Sequence, residues 1–250
     1  GSGKSYTGLT LLCGMVGADK IAAIDTEHGS LSLYSARFPG FAAIEPENHS
    51  PDTYRELIAS ADEAGYEGLL LDRLSHAWAG KGGALEMKDE VTKRNQARTG
   101  RADSFAAWRE VTPAHNALVE ALVGSPIHVI VTMRVKMAYE VDKDESGRTR
   151  IAKLGLQPVM RDGVEYEFDL VADMTQHNEM VVSKCRYVAL NWQDKVIPKP
   201  GEEQARLLAG EVGLGQPEPE APAVEPDDPP DTPEATAREQ AKAMSDVPLD

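Results

Sequence analysis

The chain opens on Gly1-Ser2-Gly3-Lys4-Ser5 and passes at once into a stretch with helical periodicity. Nothing else in the sequence limits the fold as sharply. The five residues match the second half of the phosphate-loop pattern G-x-x-x-x-G-K-[ST]. Glycines there let backbone N–H groups turn inward around phosphate oxygens. A helix starting at the same point adds partial positive charge. Lys4 then serves as a mobile cation for the β and γ phosphates, and the Ser5 hydroxyl as a Mg²⁺ ligand. Gly1, Ser2, Gly3, Lys4, Ser5 and the following Tyr6 are the candidate nucleotide contacts, with ATP and Mg²⁺ as the expected cofactors. The first glycine of the pattern and its feeding strand would precede Gly1. The expectation is that the chain begins inside the loop.

The rest of the first 210 residues alternates helix and strand. Ser5 to Val16 sets Leu9, Leu12, Cys13 and Val16 on one helical face. KIAAID (20–25), GLLLD (68–72) and IHVIVT (127–132) read as short buried strands. Pro51 to Gly65 reads as a helix, with Ser50 as N-cap and Pro51 at the first position. Ser104 to Val123 is a second long helix, bent at Pro113. Val164–Asp173 and Met180–Leu190 read as a β-hairpin, and Glu202–Ala209 as a last short helix. Buried strands separated by helices imply an α/β fold with a mostly parallel sheet, flanking helices and a C-terminal β-hairpin. Residues 79–103 and 135–157 break this rhythm: polar, glycine-bearing and basic, they read as long functional loops.

Two further elements complete a nucleotide site. Asp72 closes an apolar strand, where a carboxylate holds Mg²⁺. Ile24-Asp25-Thr26-Glu27-His28 closes the KIAAID strand and enters the turn after it. Hydrolysis needs a carboxylate to orient the attacking water. Glu27 is the candidate, and Asp25 competes with it, although closer to the strand and better placed to be buried or to cap.

Charge divides the chain. From Glu211 to Asp250 there are 11 acidic residues against Arg238 and Lys242, and 8 of the 16 prolines lie there. Such a composition cannot offset its ordering entropy. Residues 214–250 are therefore expected to form a disordered acidic tail, solubilising or docking to a protein partner, after a folded domain at 1–213. The net charge of −15 argues against a passive nucleic-acid binder while leaving room for basic loops. Cys13 and Cys185 are too few for a disulfide framework or a four-thiolate zinc site. No apolar run approaches the ~18 residues a membrane span requires. With no leader visible, the expected location is the cytoplasm.

On these residues the chain resembles RecA-type recombinases. AAIDTEHGSLSLY is similar to the strand and turn that carry their catalytic glutamate, which places Glu27 in that role. Residues 127–136, IHVIVTMRVK, resemble the strand ending in the γ-phosphate sensor. The resemblance puts Thr132 at the sensor position, where RecA has glutamine. VVSKCRY resembles the segment whose cations reach the neighbouring subunit's ATP, here Lys184 and Arg186. This implies a homo-oligomer, a ring or a filament. The two irregular stretches fall where RecA places its single-stranded DNA loops, with Lys93, Arg94, Arg98, Arg101, Lys143, Arg148, Arg150 and Lys153 as phosphate contacts.

A closer likeness is to the phage-type AAA ATPases, which include RecA-core single-strand annealing proteins. It rests on GSGKS, on Asp72–Trp78 (DRLSHAW), on Arg161–Asp169 (RDGVEYEFD), on SKCR at 183–186 and on KPG at 199–201. It implies a RecA-like P-loop ATPase acting on single-stranded DNA in phage recombination or replication, in the host cytoplasm; a nucleotide-gated DNA-binding or scaffold protein with little hydrolysis and a helicase-type motor are the alternatives. Arg73 departs from it, standing where the family has serine. Beside a Mg²⁺ site, Arg73 calls for a carboxylate partner. Arg161 is expected to reach a phosphate in trans or to pair locally with Asp162. Tyr166 and Phe168 are expected to face the core, and His76 and Trp78 to pack.

Overall fold

The computed structural model describes residues 2–143 and 149–214. Gly1 and the acidic tail segment 215–250 lie outside the described residues. Four parallel strands form the central sheet: β1 (Ile21–Asp25), β2 (Ala42–Ile44), β3 (Gly68–Asp72) and β4 (His128–Val131), in the order β2-β1-β3-β4. Leu69, Leu70 and Leu71 of β3 are completely buried because the strand is covered on both faces.

On one face lies α1 (Lys4–Val16), which contributes Leu9, Leu12 and Val16 to a cluster with Ile21 and Leu70. On the other lie α2 (Pro51–Glu63), α3 (Ser75–Ala79) and α5 (Ser104–Val123), where Tyr54, Ile58, Leu118 and Leu122 pack on Ile24, Leu69 and Leu71. Ser50 caps α2 by accepting from the Thr53 N–H at 3.2 Å, as its sequence position predicts. Asp103 caps α5 in the same way, and α5 runs through Pro113 without interruption.

Beyond α1 a second layer forms. Strands β7 (Leu170–Met174), β8 (Glu179–Cys185) and β9 (Val196–Pro198) make an antiparallel sheet, and α6 (Glu202–Glu211) packs beside it. Leu11 of α1, Met180, Val182, Trp192, Ala205 and Leu208 share one cluster there. α1 is thus buried on two sides, which is why its apolar surface is wider than a single stripe. A Cβ at Gly14 would lie 2.5 Å from that of Ala205, so only glycine permits this helix–helix approach.

Several expectations are corrected. Residues 79–103 are mostly helix, α4 (Ala84–Thr99), not a loop. The segment is rich in Ala, Glu, Lys, Gln and Arg, good helix formers. Its apolar stripe is thin: Ala84 and Val91 alone are buried, against Ala107 and Val111 of α5. Within 135–157 the described residues form an antiparallel ribbon, β5 (Val135–Lys143) paired with β6 (Thr149–Pro158), and not a loop. The charged residues Lys136, Glu140, Asp142 and Lys143 make this segment read as polar, and Arg148 falls outside the described residues. The C-terminal hairpin is present but begins at Leu170. Val164–Glu167 is a 3₁₀ turn, so Tyr166 is 70% exposed rather than core-facing, while Phe168 is half-buried against the main core. Strands β2 and β9, three residues each, carry too little pattern to be read from sequence. No described helix is long and apolar enough to cross a membrane.

Candidate nucleotide site

Parallel strands deliver their C-terminal ends to one edge of a sheet, where α/β folds bind ligands. Here that edge brings together Asp25 and Asp72, which are register partners, and Thr132 just past β4. The head of α1 meets them. The Ser5 hydroxyl donates to Asp72 Oδ2 at 2.6 Å, and the Thr132 hydroxyl donates to Asp72 Oδ1. Asp72 is 1% exposed, so both of its oxygens are oriented from opposite sides in a place shielded from bulk water. Lys4 Nζ donates to Ser2 Oγ at 3.1 Å. Gly3 sits at φ 81°, and no described side chain caps α1. A Cβ on Gly3 would lie 2.6 Å from Asn178 Oδ1, so the β7–β8 turn closes directly on the loop backbone. Tyr6 is 40% exposed and leans edge-on to Tyr34, ring centroids 5.9 Å apart.

The two competing carboxylates divide cleanly. Asp25 is buried and accepts from the Glu27 N–H at 2.7 Å and the Leu31 N–H at 2.8 Å. It shapes the turn after β1 and aims Glu27. Glu27 is partly open, and Arg73 donates to its Oε2 at 2.6 Å, while Arg134 stands 3.6 Å from Oε1. Arg73 thus has the carboxylate partner its position called for.

Thr26 ties the ends of β1 and β3 together. Its N–H donates to the Asp72 carbonyl at 2.7 Å, and its hydroxyl accepts from the Arg73 N–H at 2.8 Å. The same oxygen lies 2.6 Å from His76 Nδ1. Burial, then Arg134 and Arg73, lower the His76 pKa. Trp78 stacks on Trp108 with centroids 5.4 Å apart.

Other expected residues lie elsewhere. Lys184 Nζ donates to the Tyr166 carbonyl, and Arg186 donates to that carbonyl at 3.3 Å and to Asp169 Oδ1 at 2.9 Å. Among the described residues neither cation touches Lys4, Ser5, Glu27 or Asp72. Arg161 does not pair with Asp162: it donates to Asn116 Oδ1 at 3.1 Å, and Asp162 accepts from Gln157 at 2.6 Å. Thr26, Arg134 and Asn178 carry no site signal that the sequence reading used. Thr26 and Arg134 sit in the IDTEH and TMR segments already singled out, whereas Asn178 is far away in sequence.

The residues present suit a magnesium nucleotide. Mg²⁺ takes hard oxygen ligands, keeps most of its waters and needs no all-protein cage. A hydroxyl and a carboxylate side by side, next to a glycine turn that a Cβ would fill, meet that need. Among the described residues no three His, Cys, Asp or Glu side chains gather into a dedicated metal cage.

The model of the AAA domain family matches residues 1–198. The chain belongs to the AAA domain family. No curated protein matches the chain. An AAA domain is a nucleotide-binding ATPase module, and the helix-flanked parallel sheet is that of a P-loop NTPase. Within this AAA domain the match runs from the head of α1 through β9 and stops before α6. It therefore takes in every residue of the sheet-edge cluster, and Asn178 with them.

Proposed function

We propose that this AAA domain binds Mg·ATP at the sheet edge and hydrolyses it as a RecA-like ATPase of phage type. The observation that carries this reading is the convergence of Ser5 and Thr132 on Asp72, with Glu27 held at the next strand end. Lys4 would face the β and γ phosphates. Ser5 and Asp72 would hold Mg²⁺, which neutralises phosphate charge when bound. Thr132, hydrogen-bonded to Asp72, links the γ-phosphate side of the site to β4. Glu27 orients the attacking water and receives its proton.

The domain acts on single-stranded DNA in recombination or replication. Supporting this, α4 carries exposed Lys93, Arg94 and Arg98, Arg101 follows it, and the β5–β6 ribbon carries Lys143, Arg150 and Lys153. Lys184 and Arg186, converging on the Tyr166 carbonyl away from the protomer's own site, act on the ATP of a neighbouring copy in a homo-oligomer. A second reading, a nucleotide-gated DNA binder with little hydrolysis, is favoured by one feature: Arg73 occupies the Glu27 carboxylate.

ATP turnover of the full-length protein with and without single-stranded DNA separates the two. Turnover that rises with DNA and falls about 100-fold in Glu27→Gln is the expected result for the coupled ATPase. ATP binding without turnover in either protein would leave the gated binder.

A further inference from the structure

We propose that Arg73 is a terminal-phosphate sensor acting in cis, which Glu27 holds until ATP supplies a stronger anion. The proposal rests on the ATP-site reading above and deepens it.

The sheet edge carries uneven charge. Of its three carboxylates, Asp25 is engaged by two backbone amides and Asp72 by the hydroxyls of Ser5 and Thr132. Glu27 alone faces guanidinium groups, and it faces two, Arg73 at 2.6 Å and Arg134 at 3.6 Å. Lys4 adds a third cation at the head of α1, held only by the Ser2 hydroxyl among the described residues. Around Glu27 itself two guanidinium groups face one carboxylate, a local surplus of positive charge that suits a further anion. Guanidinium binds phosphate oxygens through paired N–H donors, at least as well as it binds a carboxylate.

The backbone around the pair is pinned by hydrogen bonds, and the paired side chains are partly open to solvent. Asp25 pins the Glu27 amide, and Thr26, itself hydrogen-bonded to His76, pins the Arg73 amide. The Arg73 and Glu27 side chains remain 22% and 24% exposed. Exchange of Arg73 from Glu27 to a phosphate thus needs only side-chain rotation. Arg73 also follows Asp72 directly, and Asp72 touches Ser5, so the guanidinium lies on the strand end nearest the phosphate loop. ADP lacks the terminal phosphate and leaves Arg73 on Glu27. ATP draws Arg73 away, and Glu27 is released to orient water. Arg73 then determines specificity for the triphosphate and times the appearance of the catalytic carboxylate.

The test is equilibrium binding of Mg·ATP and Mg·ADP to the full-length protein without DNA, comparing wild type, Arg73→Gln and Glu27→Gln. Arg73→Gln is expected to weaken ATP binding roughly 10- to 100-fold, the worth of a charged hydrogen-bond pair. ADP binding should stay within about twofold. Glu27→Gln removes the competitor, so ATP should bind roughly threefold to tenfold more tightly, again with ADP unchanged. An unchanged ATP-to-ADP affinity ratio in Arg73→Gln overturns the proposal, including the case where turnover rises because Glu27 was merely clamped. That outcome leaves the ATP-site reading intact. A wild-type protein that binds neither nucleotide overturns both.

Discussion

Lys4→Ala should lower ATP turnover at least ~100-fold without lowering the melting temperature of the free protein by more than about 2 °C. The two halves of this expectation come from the same geometry. In the free protein Lys4 Nζ has one described partner, the Ser2 hydroxyl at 3.1 Å, in a partly buried setting. A single hydrogen bond from a flexible, partly exposed lysine ammonium to a neighbouring hydroxyl contributes about 1 kcal/mol to folding. In the proposed site the same ammonium would face phosphate oxygens at the head of α1, where no described side chain caps the helix and a Cβ on Gly3 would meet Asn178. No other described cation stands on that loop, so alanine leaves the developing charge of phosphoryl transfer without its nearest counter-charge. Steady-state hydrolysis at saturating Mg·ATP, beside a thermal melt of the same sample, measures both. Turnover within tenfold of wild type would mean that phosphate does not bind at the head of α1.

The second large effect concerns stability. Leu71→Ala is expected to destabilise the domain by roughly 3–4 kcal/mol, or about 10 °C in melting temperature. Leu71 is completely buried in β3 and belongs to the cluster that joins Ile24 of the sheet to Tyr54 of α2 and Leu118 of α5. The surrounding groups come from three elements hydrogen-bonded or capped in place, so the space left by the missing methyls cannot close. Leu33→Ala is the internal contrast. Leu33 is 82% exposed, and its loss should change stability by less than about 0.5 kcal/mol. Chemical denaturation of both variants checks the pair. Equal effects would contradict the assignment of this layer as the main core.

These two positions also show which parts of the molecule were legible in its sequence. GLLLD reads as a buried strand because four apolar or small residues in a row fit only a strand covered on both sides, and the structure has that strand at Gly68–Asp72. The helix after Ser50 was legible from its cap and its first-position proline, and the helix at 104–123 was legible without the Asp103 cap that the structure adds. α4 was not, because a helix that buries little more than Ala84 and Val91 looks like a charged loop. At the site, local signals fixed the candidates: GSGKS and a strand-end aspartate need no tertiary knowledge. The need for a carboxylate beside Arg73 was also legible. Which carboxylate was not, since Glu27 lies 46 residues away and reaches Arg73 only through the β1–β3 register. The contact of Asn178 with Gly3 depends on a whole second sheet docking on α1, and no local pattern encodes it.

The tryptophans give this architecture an optical consequence. Trp78 and Trp108 lie nearly parallel, 13° between planes, with centroids 5.4 Å apart. Indoles at that spacing couple their transitions, so near-ultraviolet circular dichroism carries a band that exists only while α3 and α5 stay in contact. Trp192 sits apart, buried with Leu11 of α1, Val182 of β8 and Ala205 of α6, and its emission senses that seam. Trp78 lies on the helix that follows Arg73, whereas Trp192 packs along the helix that starts at Lys4. Two chromophore groups in one unlabelled chain thus report separately on the helix that follows Arg73 and on the helix that starts at Lys4, and a spectrometer can follow each in the same sample.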